Sequence, residues 1–233
     1  MLQSLRRHPL RLKIILFGVI VCSVAGYLMF RSPMKEVTPD ANLFPIRGVD
    51  ISAHNDVQNW KMLADSIDFI LIKATEGGNW NDRNFNRNYK EASDAGLKVG
   101  AYHFFRFDRD GVVQGINFYN SLWNKDFYFP AIIDVEETGN PGGISKNDIT
   151  KRLKDMVAYL EKNNVKVMFY SNKKGYDEYI KPYFPNYPLW ICSLSSVPDM
   201  NLPWIIWQFS HSGNVPGINR EVDLNVLRIK EFY

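Results

Sequence analysis

Phe129-Pro130-Ala131-Ile132-Ile133-Asp134-Val135-Glu136-Glu137 is an apolar run that ends in acid. Residues 130–135 have the length and flanks of a buried strand. Side chains two apart on a strand share a face, so Asp134 and Glu136 project together with Ile132, and Val135 projects the other way. Two acids at the end of an apolar strand are costly to bury without a partner or a task. Held close together and partly dehydrated, they repel, and one keeps its proton near neutral pH, as a carboxyl general acid must. A strand running out into a charged loop is the plainer alternative, so the flanking chain has to decide between them.

Working outward, strands and helices alternate. Strands are expected at residues 46–52, 68–75, 97–105 and 165–171 around the opening stretch. Helices are expected at 57–64, 82–95, 110–123, 145–163 and 173–180. Asn55 or Asp56 is the expected N-cap of the first helix. Ser145 and Asp148 have capping-box spacing at the start of the fourth, and Gly96 stops the second. Residues 188–192, 203–210 and 222–226 read as three further strands with little room for helices between them. This order predicts an α/β fold, an irregular (β/α) TIM-like barrel of about eight strands with fewer than eight helices. An open doubly wound sheet is the alternative, but no glycine-rich phosphate fingerprint follows any strand.

Barrels of this type carry their chemistry at the C-terminal ends of the strands. Taken in order, those ends supply Asp50; Lys73 and Glu76; Tyr102 and His103; Asp134 and Glu136; Tyr170 and Asn172; Trp190; Gln208; and Asp223 with Asn225. Four acids, Asp50, Asp134, Glu136 and Asp223, thus meet several aromatics at one rim. Tyr102, Tyr170 and Trp190 are candidate walls for a bound substrate, and Lys73 and Gln208 are counted with them as substrate-binding. Lys73 has a second reading, as an ion-pair partner of the acids. His103, between Tyr102 and Phe104, reads as a hydrogen-bonded core histidine. Trp204 and Trp207 have opposite strand parity, so at most one faces the barrel interior. Glu137 reads as a rim charge.

Composition narrows the chemistry. The 233 residues are 45% hydrophobic and 23% charged, which is globular, and 14% aromatic. The net charge of +3 misleads: the first 35 residues hold six basic and no acidic residues, leaving 22 basic against 25 acidic, a net of −3. A body with no basic excess argues against nucleic acid as partner. Two cysteines, Cys22 and Cys192, give no disulfide framework, and the four histidines have no ligand spacing, so neither metal nor cofactor is expected. No Gly-x-Ser-x-Gly elbow is present. Paired carboxylates with aromatic walls point to glycoside hydrolysis.

The N-terminus is a separate matter. Residues 1–13 are basic, 14–30 carry no charge, and Arg31 closes the run. We read residues 1–31 as a signal anchor, one transmembrane helix with its N-terminus in the cytoplasm and the body exported. Secretion after signal cleavage is the alternative. Residues 32–45, with Pro33, Pro39 and Pro45, read as a linker, and 46–233 as the catalytic domain.

The motifs along that domain resemble glycoside hydrolase family 25, the lysozymes or N-acetylmuramidases. They are Arg47-Gly48-Val49-Asp50-Ile51-Ser52, Ile72-Lys73-Ala74-Thr75-Glu76-Gly77, Val99-Gly100-Ala101-Tyr102-His103-Phe104, Ile133-Asp134-Val135-Glu136, Trp190-Ile191, Trp207-Gln208-Phe209-Ser210, Gly213-Asn214-Val215-Pro216-Gly217-Ile218 and Val222-Asp223-Leu224-Asn225. The resemblance implies an irregular barrel that cleaves the β-1,4 bond between N-acetylmuramic acid and N-acetylglucosamine in peptidoglycan glycan strands; a monomer is expected. It implies Glu136 as general acid and Asp134 as support for the transition state, with Asp50 and Asp223 completing the acidic cluster. It further implies a retaining mechanism assisted by the substrate's 2-acetamido group, although the sequence leaves retention and inversion open. A non-catalytic wall-binding protein on the same fold is the rival of another class. A chitinase-like hydrolase is the enzymatic rival, but Pro130 and Ile132 stand where its strand would carry aspartates.

Overall fold

The computed structural model describes residues 36–228. The chain divides into two units, residues 1–35 and 36–233; the first, with the expected anchor, lies outside the described residues. No described helix is long and apolar enough to cross a membrane.

Among the described residues nine strands form one sheet: β1 (Ile46–Ile51), β2 (Phe69–Glu76), β3 (Trp80–Asn81), β4 (Lys98–Phe104), β5 (Ala131–Asp134), β6 (Val167–Asn172), β7 (Leu189–Cys192), β8 (Trp204–Gly213) and β9 (Val222–Leu227). Eight of them close into a barrel in the order β1-β2-β4-β5-β6-β7-β8-β9, with β9 returning to β1. β3 stands outside the ring as a short hairpin partner of β2. The strands from β1 through β8 pair in parallel around the ring, whereas β9 runs antiparallel to both neighbours. Only eight residues separate β8 from β9. That is too short for the crossover a parallel pairing requires. Asp223 and Asn225, expected at the end of the eighth strand, are therefore the second and fourth of the six residues of β9. Because β9 is reversed, its start reaches the same rim.

The helices are α1 (Trp60–Ala64), α2 (Phe85–Asp94), α3 (Gly111–Leu122), α4 (Lys146–Lys162) and α5 (Lys173–Gly175), the last continuing as a π turn at Tyr176–Ile180. α1 is capped by Asn59, whose side chain accepts from Met62 N, and not by the expected Asn55 or Asp56. Ser145 caps α4 through Asp148 N at 3.1 Å, and the Ser145 hydroxyl also donates to the Asp148 carboxylate. α4 buries Ile149, Leu153, Met156, Val157 and Leu160, one stripe at helical spacing, against the outside of the barrel.

Strand alternation sorts the core into two layers. Ile70, Ile72, Ile133, Val135, Phe169 and Ile191 pack outward beneath the helices. Phe69, Leu71, Phe129, Ile132, Met168, Tyr170, Trp190 and Ile206 fill the interior. A Cβ at Gly48 would stand 2.5 Å from the Phe69 ring, so glycine there is what admits that ring to the barrel. Trp204 and Trp207 both belong to the outer layer, where Phe44 packs on them. A register shift between β7 and β8 after Leu189 and Trp204 breaks the alternation and turns both indoles outward.

Candidate active site

β5 ends at Asp134 with the parity set by its apolar residues. Ile132 and Asp134 face inward, and Ile133 and Val135 outward. Val135 N donates to Tyr170 O at 2.9 Å, which carries the chain one residue past the strand before Glu136. The loop beyond is tied by Asn140, whose Nδ2 donates to Glu136 O and Phe105 O. Asp134 is 6% exposed, and among the described residues its Oδ1 has no hydrogen-bond partner. Glu136 is only half-buried, at the mouth.

Across the barrel, Asp50 on β1 stands opposite Asp223 on β9 in the strand ladder. The Gln208 amide on β8 bridges them: its Nε2 lies 2.9 Å from Asp50 Oδ2 and 2.9 Å from Asp223 Oδ2. Asn225 Nδ2 donates to the same Asp50 oxygen at 2.8 Å, and Trp190 Nε1 donates to Asn225 Oδ1 at 2.7 Å. Tyr170 OH donates to Gln208 Oε1 at 2.7 Å. Trp190 is 2% exposed, so its ring is the floor beneath the amides and not an open wall. Tyr102 meets it edge-on, with ring centroids 6.0 Å apart.

Burial and mutual repulsion shift the acids together. Burial, then the Glu136 charge, raises Asp134 well above the usual aspartate range, against the opposing pull of Lys73. Burial and the Asp50 charge raise Glu136. Burial and the Asp223 charge push Asp50 up to about 7, although Asn225 and Gln208 hydrogen bonds favour its ionised form. Asp223 is pushed to about 6 by burial, Glu136 and Glu36. Near neutral pH the cluster therefore retains protons that isolated carboxyls would have lost.

Lys73 bonds Glu76 at 2.8 Å and lies 5.0 Å from the ring centres of Trp80 and Phe104. It thus takes its place as an ion-pair partner of a rim acid, within the field of Asp134 and Glu136. His103 is fully buried, bonded to Thr75 Oγ1 at 2.7 Å and Gln114 Oε1 at 3.2 Å, and burial drives its pKa to about 3. It is a neutral core residue outside the acid cluster. Glu137 pairs with Lys174 and Tyr179 on the rim. Among the described residues, no three His, Cys, Asp or Glu side chains converge as a metal site.

Three neighbours of the cleft escaped sequence reading. Trp80, 43% exposed, is carried over Lys73 by the β2–β3 hairpin, which Gly77-Gly78 ahead of it could have signalled. His211 reaches Gln208, and Glu36 reaches His211, from a stretch read as linker that is held to the body by Val37 N on Leu194 O at 2.8 Å. No local sequence pattern announces either contact.

A closed barrel with four carboxyl groups gathered at one rim, two of them two residues apart at and just past the end of β5, has the acid-rich cleft that glycosidases use. The comparisons agree. Residues 49–218 match the model of glycosyl hydrolases family 25. A family 25 glycosyl hydrolase from Bacillus anthracis superposes with a TM-score of 0.74 at 32% identity, covering 86% of this chain and 95% of that one. Lysozyme M1 of Streptomyces globisporus is 28% identical over 211 residues, 83% of this chain and 71% of its own. The uncharacterized protein YegX of Escherichia coli K12 is 34% identical over 192 residues, 78% of this chain and 70% of its own. The chain belongs to glycosyl hydrolases family 25 and is a glycosidase of the lysozyme type.

Proposed function

We propose that the protein is a muramidase that hydrolyses the β-1,4 bond between N-acetylmuramic acid and N-acetylglucosamine in peptidoglycan, with retention of configuration. The observation that carries the reading is the buried Asp134 carboxyl with its Oδ1 left without a partner among the described residues. A buried carboxylate oxygen in that state is costly, and a donor on the substrate removes the cost. The N–H of a 2-acetamido group supplies such a donor. Its hydrogen bond favours the ionised form of Asp134, so the proton shared by the repelling pair moves to Glu136. Glu136, half-exposed at the mouth, protonates the leaving oxygen. Asp134 then orients the acetamido group as the internal nucleophile and stabilises the positive charge that develops on it. Asp50 and Asp223, tied by Gln208, complete the negative field around the sugar ring.

The test is Glu136→Gln in the full-length protein on purified peptidoglycan. Wild type clears the suspension and yields muropeptides with new N-acetylmuramic acid reducing ends. The variant keeps its fold by circular dichroism and loses cleavage. Binding without clearing by wild type supports a wall-binding role instead, and new N-acetylglucosamine reducing ends overturn the bond assignment. Near wild-type activity in the variant removes Glu136 from the acid role.

The uncharged run at residues 14–30 behind a basic N-terminus supports a signal anchor holding the catalytic body outside the cytoplasmic membrane. Such an enzyme acts on the wall of its own cell. Carbonate-resistant sedimentation with the membrane is the expected result, and mature protein free in the medium refutes it.

A further inference from the structure

β8 does not alternate regularly. Gln208 pairs with Asn225 and Ser210 with Leu224, so two steps on β8 oppose one on β9, and a second shift follows before Gly213. In an unbroken strand residues 208 and 211 face opposite surfaces. A bulge re-aims the side chains beyond it. Here it brings His211 Nε2 to 3.1 Å from Gln208 Oε1.

The Gln208 amide has one workable orientation. Its nitrogen faces Asp50 and Asp223 at 2.9 Å each, and a flip would set its oxygen against two carboxyls. Oε1 already accepts from Tyr170 OH. The imidazole nitrogen facing that oxygen must therefore carry a proton, which assigns His211 as the Nε2–H tautomer or the imidazolium. The backbone beneath the ring is held as well. His211 N donates to Glu36 Oε1 at 3.2 Å, and Ser212 Oγ to Glu36 Oε2 at 3.4 Å.

We propose that His211 is a positioning residue: its Nε2–H, with the Tyr170 hydroxyl, fixes the Gln208 amide so that its nitrogen serves Asp50 and Asp223 at once. The role in turnover rests on the muramidase reading of the cleft. The titratable groups facing the ring or the amide are Glu36 before β1, Asp50 on β1, Tyr170 on β6, Cys192 on β7 and Asp223 on β9; the Cys192 Sγ lies 3.7 Å from His211 Nε2. The ordered amide nitrogen favours the ionised form of both carboxyls. Removing the imidazole takes away a donor that orders the amide, and that loss raises the carboxyl pair.

The experiment uses full-length wild type, His211→Ala and His211→Gln, each labelled with carboxyl-13C aspartate. The Asp50 and Asp223 carboxyls are titrated by NMR without substrate, and kcat and KM are measured on peptidoglycan fragments. In His211→Ala the titration midpoints rise by about one pH unit, and kcat falls about tenfold with KM unchanged. His211→Gln, which keeps a side-chain N–H donor, recovers most of kcat. Unmoved midpoints in His211→Ala overturn the proposal, whether activity is retained, lost through KM, or lost equally in both variants with a lower melting temperature. Because the titration needs no substrate, it decides the link to the carboxyls even if wild type fails to cleave peptidoglycan and the muramidase reading falls.

Discussion

Asp50→Asn should stabilise the protein at alkaline pH while abolishing its activity. Asp50 is 9% exposed, and its pKa is pushed from the ordinary 3.8 to about 7, chiefly by burial and then by Asp223. The folded state therefore binds more protons than the unfolded chain between those two values. Stability is highest on the acid side and is lost as pH rises through that window. About three pH units at 1.36 kcal/mol each give a penalty of about 4 kcal/mol once Asp50 is ionised, with about 2–3 kcal/mol of it developing between pH 5 and pH 8. Asparagine carries no such penalty. Its Oδ1 can replace the oxygen that accepts from Gln208 at 2.9 Å and Asn225 at 2.8 Å, so the amide network survives. For a body of this size, that difference raises the melting temperature of the variant over wild type by roughly 5–10 °C more at pH 8 than at pH 5. Thermal melts by circular dichroism at the two pH values measure it, with activity on peptidoglycan measured in parallel. A variant less stable than wild type at pH 8, or an offset the same at both pH values, refutes the claim that ionised Asp50 is held in the cleft at a cost to stability.

Other perturbations probe different layers. Gly48→Ala puts a Cβ about 2.5 Å from the buried Phe69 ring and should cost about 1–3 kcal/mol in urea unfolding, with inactivation only insofar as the barrel distorts; unchanged stability would mean that Phe69 repacks freely. Trp80→Ala removes an exposed ring at the mouth and should raise KM about two- to tenfold with kcat nearly constant. A fall in kcat alone would instead tie the ring to Lys73 and the acids it faces.

The barrel was legible because apolar strands and amphipathic helices alternate over most of the chain, and each level of patterning agrees with the next. The Asp134–Glu136 pair was legible for the same reason: strand parity with Ile132 fixes the side on which Asp134 falls, and the chain keeps the strand path through Val135. Asp223 was found with the wrong strand direction behind it. An eight-residue connection forbids a parallel crossover, so the direction of β9 was available from loop length. What sequence withheld depends on departures from alternation. Parity arithmetic leaves room for one of Trp204 and Trp207 inside the barrel, yet a register shift puts both outside. The same arithmetic separates Gln208 from His211, yet the bulge on β8 joins them. A bulge costs one extra residue and leaves little mark in composition, but it re-aims every side chain beyond it. The carboxyls of this cleft sit on regular strand positions and could be read from spacing. Gln208 could be read from its strand end as well, as a substrate contact, but its link to His211 crosses an irregular position, and for that reason only the folded chain brings that link into view.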